Sequence, residues 1–172
     1  MVAWSFVTLV LAALALAAPL AHALEMPVRR AYDAALYVRV THTLYLYFGT
    51  VGAAFEVGAI ACALIWCGLL WRWPSSLRSV LGWALAGAGC LVLAHVLFWL
   101  LIAPVNQEFA TWTPETVPAD WTRFRDQWEF THTARAALFL LGFCALLGSV
   151  FLARSEAGRH PERPAPRALA AV

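Results

Sequence analysis

The chain has 172 residues, 62% hydrophobic and only 13% charged, with a formal net charge of +2 and a mean hydropathy of +0.71. A soluble domain carries roughly 25% charged residues, so this balance excludes an ordinary soluble fold. The basic residues are all Arg, are scattered, and form neither a basic arm nor an aromatic-basic patch, which excludes a nucleic-acid binder.

The apolar excess falls in long runs, and four of them reach the ~20 residues needed to cross ~30 Å of hydrocarbon as a helix. The first runs from about Val2 to Leu24. Its end, Ala21-His22-Ala23, resembles a small-residue signal-peptidase site, but the preceding Met1-Val2-Ala3-Trp4 has no Lys or Arg. A retained span is the reading taken; cleavage would remove His22 and leave three spans.

The second span lies within Leu44–Trp71, entered by a helix starting near Ala34. The turn Arg72–Arg78 is basic with no acid, and leads to a third span at about Ser79–Ala103. Next comes the longest irregular stretch, Pro104–Asp126, with Pro104, Pro114 and Pro118 to end the helix and Trp112 and Trp121 suited to a headgroup-level cap. The fourth span is about Gln127–Ala153, and the Pro-rich tail from Ser155 reads as a disordered cytoplasmic segment. Arg72, Arg78, Arg154, Arg159, Arg163 and Arg167 flank the spans on one side, which places both termini in the cytoplasm under the positive-inside rule. The expected architecture is all-α: an integral membrane four-helix bundle over residues 1–154 with an irregular outer cap loop, one domain in a bacterial inner membrane.

Cys62, Cys67, Cys90 and Cys144 lie inside spans without a C-x-x-C, so a thiol-disulfide oxidoreductase is excluded and small packing residues are expected. The costly residues are ionisable ones, because charge in hydrocarbon costs a few kcal/mol. Glu56, His95, His132 and Arg135 are intramembrane; His22, Glu25, His42 and Glu129 lie near span ends. Counted from the cytoplasmic ends at ~1.5 Å per residue, Glu56 lies roughly 22 Å up and His95 roughly 25 Å. Arg135 lies roughly 28 Å up, His22 roughly 31 Å and His132 roughly 33 Å. All four spans therefore contribute an ionisable group to the outer half.

Helical faces agree. His42, Gly49 and Glu56 are seven apart, and Gly52, Ala59 and Ala63 flank Glu56 on a stripe of small residues that turns it toward protein. Trp128, His132 and Arg135 share one face of the fourth span. His22-Ala-Leu-Glu25 and Glu129-Phe-Thr-His132 have the i, i+3 spacing of di-metal four-helix proteins, with Glu56 and His95 as a partial second set. The bland readings are hydrogen-bonded His42, solvated helix-end acids at Glu25 and Glu129, and an Arg135 that merely neutralises Glu56 or Glu129.

Pro104-Val-Asn106 with Trp121-Thr-Arg123-Phe-Arg125-Asp126-Gln-Trp128-Glu129-Phe-Thr-His132-Thr-Ala-Arg135 resembles the anthrone-oxygenase-like membrane proteins. Ala21-His22-Ala-Leu-Glu25-Met-Pro27, Leu44-Tyr45 and Phe48-Gly49 look like its bacterial branch, and the likeness covers about residues 15–153. Met26-Pro27-Val28 departs from the more polar sequence expected after Glu25. The resemblance implies a four-helix membrane protein that oxidises phenolic polycyclic substrates to quinones with oxygen.

The leading expectation is a membrane oxidoreductase for a lipophilic phenolic or quinol-like substrate. His132 or His95 would remove a proton, and Arg135 and Asn106 would stabilise the resulting oxygen anion. Oxygen could react without a cofactor, or a non-haem transition metal could sit among His22, Glu56, His95 and His132, with Glu25 and Glu129 as further candidates. The alternatives are a transporter or proton relay built on Glu56, the His residues and Arg135, and a haem electron carrier with His95 and His132 as axial ligands.

Overall fold

The computed structural model describes residues 2–45, 47–72 and 78–159. Among them the regular elements are all helical: α1 (Val2–Arg29), α2 (Ala34–Leu44), α3 (Ala53–Trp71), α4 (Arg78–Leu97), α5 (Ala103–Phe109) and α6 (Trp121–Arg159). Two π-helical segments, Phe48–Gly52 and Phe98–Ile102, lead into α3 and follow α4. Four helical stretches are long and apolar enough to cross a membrane: Ala3–Arg29, Phe48–Trp71, Arg78–Phe109 and Trp121–Glu156. The tail beyond residue 159 and the basic turn at 73–77 lie outside the described residues.

The protein is an all-α membrane bundle in which α1 packs on α3, α3 on α4, α4 on α6, and α6 back on α1. Its interior is lined by small residues, with Ala12, Ala59, Ala63, Ala84 and Ala94 fully buried, while Phe6, Leu64, Leu93, Leu141 and Phe151 face outward. Lipid tails are as apolar as Leu, so close backbone approach and van der Waals contact hold such helices together. The tightest approach is between α4 and α6, where a Cβ added to Gly87 would meet Leu146 Cγ at 2.7 Å and the Gly142 carbonyl at 3.0 Å. Polar contacts add direction to the packing: the Trp66 indole donates to Ser149 Oγ at 3.1 Å, and the Trp4 indole to the Cys62 carbonyl at 3.1 Å.

The helices run further at the cap end than hydropathy alone indicates. The third span does not stop at Pro104: α5 carries that proline in its first turn, where the missing N–H costs little, and the irregular stretch shrinks to residues 110–120. The fourth helix begins at Trp121 and continues through Ser155 to Arg159. α2, capped by Asp33 whose carboxylate accepts from Leu36 N–H at 2.8 Å, lies beside α5. Together they close the bundle with an aromatic cluster that includes Tyr37, Tyr45, Phe109, Trp112 and Trp128. Trp112, three residues beyond the end of α5, is 6% exposed inside that cluster, its ring against Phe109 and Phe124.

Candidate functional site

Below the aromatic cap lies a cavity of about 490 Å³. Every spanning helix contributes polar groups to it: His22 from α1, Glu56 from α3, His95 from α4, and His132 with Arg135 from α6. α2 and α5 add His42 and Asn106, and the two π-helical segments add Phe48, Gly49, Phe98 and Trp99. An extra residue per turn re-aims the side chains around it, and π segments recur at functional sites for that reason.

One wall is a chain of hydrogen bonds. Arg135 Nη2 donates to Glu56 Oε2 at 2.6 Å and Arg135 Nε donates to the Ala94 carbonyl at 2.9 Å. Glu56 Oε1 lies 2.9 Å from His95 Nδ1, and His95 Nε2 lies 3.0 Å from the Trp99 indole nitrogen. An indole nitrogen only donates, so His95 Nε2 accepts, and its Nδ1 must carry the hydrogen given to Glu56. His95 is therefore a neutral imidazole with both nitrogens engaged. Arg135 lines the cavity, and its Nη1 has no hydrogen-bond partner among the described residues.

The opposite wall holds two imidazoles side by side. The rings of His22 and His132 lie 4.4 Å apart, both buried, and the Trp128 ring packs tilted against His132 at 4.1 Å. His132 Nδ1 donates to the Trp128 carbonyl at 2.9 Å, since a carbonyl can only accept. That tautomer leaves the Nε2 lone pair free. His22 Nδ1 is a buried polar atom without a hydrogen-bond partner, and such atoms are rare in packed interiors. Nearby, Asn106 Oδ1 accepts from the Trp128 indole at 2.8 Å, which fixes the amide orientation and leaves its NH2 as a donor. His42 Nε2 donates to the Phe109 carbonyl at 2.8 Å.

The sequence candidates thus fall into two pairs, Glu56 with His95 and His22 with His132. Among the described residues no group of three or more His, Cys, Asp or Glu side chains is placed to hold a metal ion. Axial ligation of haem by His95 would require it to release Glu56 or Trp99.

Glu25 and Glu129 do not line the cavity. Glu129 is fully buried behind it, held by Arg29, whose Nε and Nη2 donate to its two carboxylate oxygens at 2.8 and 2.6 Å. Arg29 Nη1 also donates to Glu25 Oε2 and to Tyr45 OH, both at 2.5 Å, and its Nη2 donates to the His22 carbonyl at 2.8 Å. Tyr37 donates to Glu129 at 3.1 Å, and Tyr45 donates to Glu25. Burial pushes the phenols of Tyr37 and Tyr45 well above the usual tyrosine range, helped in turn by Glu129 and Glu25. Glu129 is thus no solvated helix-end acid, and Arg29, the last residue of α1, is 2% exposed. The one signal available for Arg29 was its i+4 spacing from Glu25. Tyr37 and Tyr45 left none.

A sequence model of the family described as anthrone oxygenase matches residues 45–145, more than half of the chain. The match takes in Glu56, His95, Asn106, His132 and Arg135 but ends short of His22 and Arg29. No curated protein and no solved structure matches the chain.

Proposed function

Because the chain belongs to the anthrone oxygenase family, we propose that it is a membrane oxidoreductase that uses O2 to oxidise a lipophilic phenolic or quinol-like substrate in this cavity. The observation that carries the reading is the His132 imidazole, which lines an aromatic-walled cavity beside His22 and has its Nδ1 engaged, leaving Nε2 as the free nitrogen. A neutral imidazole is a competent base near neutral pH.

In an enolisable substrate His132 removes a proton from an activated methylene, and the negative charge moves to the conjugated oxygen. The Asn106 amide and Arg135 Nη1 are the donors for that oxyanion. The electron pair of the carbanion then forms a bond to O2. Loss of water from the resulting hydroperoxide leaves a carbonyl: one oxygen atom stays in the product and the other departs in water with the two methylene hydrogens. In the same reading Arg72, Arg78 and Arg154 hold the far end of the bundle in the cytoplasm of a bacterial inner membrane.

Oxygen uptake by the purified protein with anthrone tests the reading. One O2 per quinone formed, with uptake lost in His132→Ala, supports it. Absence of uptake with any enolisable phenol, or unchanged turnover in His132→Ala, overturns it. Metal content and a visible spectrum of the same preparation identify a non-haem metal or a haem.

The Glu56–His95 hydrogen bond favours proton relay as a second reading. Proton flux through protein-loaded liposomes without oxygen uptake is its signature.

A further inference from the structure

His95 stands apart from the base just described. Its Nε2 lone pair points to the cavity wall and is covered by one group, the indole N–H of Trp99 one turn further along the helix. Trp99 belongs to the cavity lining and is nevertheless 61% exposed on the outside of the bundle. Across from it, Gly49, Ala53 and Val57 follow one another at four-residue spacing, line the same cavity and are also exposed. Both lips run along stretches long and apolar enough to span, Phe48–Trp71 and Arg78–Phe109, and reach from the outer half of the hydrocarbon to its edge, so the opening faces lipid there. The lips include residues of both π-helical segments, and a Cβ added to Gly49 would meet nothing within 4 Å.

Resting on the site reading above, we propose that the cavity opens sideways into the bilayer between the second and third spans. Trp99 is the gate of that opening, its indole covering His95 Nε2, which docks a second hydroxyl of a dihydroxyaromatic substrate. A substrate hydroxyl can replace the indole N–H on His95 without disturbing the Nδ1–H donated to Glu56, so the exchange keeps both nitrogens of His95 hydrogen-bonded. A second hydroxyl distinguishes such a substrate from a monophenol, because only the former offers a donor to His95 while its other oxygen meets Asn106 and Arg135. A lipophilic substrate dissolved in the bilayer reaches the base without crossing the aromatic cap.

Binding to the full-length protein in liposomes tests this. The probes are a dihydroxyanthraquinone with hydroxyls on opposite rings and its monohydroxy analogue, coloured compounds with no methylene to oxidise. Trp99→Phe keeps the ring and deletes the competing donor; it should tighten the dihydroxy probe by about two- to tenfold, the worth of one hydrogen bond, and leave the monohydroxy probe unchanged. Gly49→Leu adds a side chain at the opening, where its Cβ meets nothing within 4 Å, and should slow association of both probes by about tenfold or more. Both variants should unfold at the wild-type temperature, since Trp99 is exposed and Gly49 has open space. Weaker or unchanged dihydroxy binding in Trp99→Phe, or wild-type association in Gly49→Leu, overturns the gate. If wild type still consumes oxygen with enolisable phenols, the proposed function survives that result. A wild-type protein that binds neither probe overturns both.

Discussion

The imidazoles of His22 and His132 lie 4.4 Å apart, centroid to centroid, although they come from the first and last spanning helices. His132 donates from Nδ1 to its own helix while His22 Nδ1 meets no partner, so the pair presents unengaged ring nitrogens in a buried place. An orphaned buried nitrogen costs about 1–3 kcal/mol. In the function proposed above, the substrate occupies the space beside this nitrogen and the free lone pair of His132.

If His132 is the base, His132→Ala lowers kcat for oxygen uptake by about 10²–10⁴-fold. Asn106→Ala removes one oxyanion donor and lowers kcat by about 10²-fold. Steady-state oxygen consumption in detergent measures both. A change confined to KM in either variant would place that residue in ordinary substrate binding.

Arg29 and Glu129 carry the connection between α1 and α6. Arg29→Met leaves a carboxylate buried without its ion partner, so unfolding free energy should fall by about 3–5 kcal/mol. Because Glu129 also holds Tyr37, the Arg29→Met/Glu129→Met double variant should lose less than the sum of the two single ones. Denaturant titration in micelles reads this; a loss below about 1 kcal/mol in Arg29→Met would mean the pair is solvated.

The α4–α6 approach makes a paired prediction. Gly87→Ala places a methyl group 2.7 Å from Leu146 Cγ and 3.0 Å from a backbone carbonyl, so it should destabilise by about 1–3 kcal/mol. Gly89→Ala meets nothing within 4 Å and should be neutral or stabilising, since it only reduces backbone freedom. Equal thermal shifts for the two would contradict the close approach.

The phenols set a limit at alkaline pH. Tyr37 and Tyr45 are raised by burial, whereas an unfolded tyrosine ionises near ~10. Above that value the unfolded chain has released protons that the folded one still holds, so stability is complete below pH ~10 and falls as pH rises further. Tyr37→Phe removes one such proton and should flatten the slope. A stability that rises above pH ~10 would reverse the sign and exclude buried neutral phenols.

What the sequence by itself determined is the set of spans and the height of each costly residue. Both follow from hydrocarbon thickness and helical rise, and neither needs a partner: the four apolar runs form helices long and apolar enough to span, and Glu56, His95, His132, Arg135 and His22, all counted to the outer half, line one cavity. Tertiary structure alone decided who meets whom. Azimuth and the two π-helical segments split the candidate ligands into Glu56–His95 and His22–His132. They drew Arg29 and Tyr37 inward to Glu129, made a core residue of Trp112, and laid Trp99 over His95. A hydrogen bond depends on tenths of an ångström and on the direction of a lone pair. Residue type and spacing carry neither until the helices have packed.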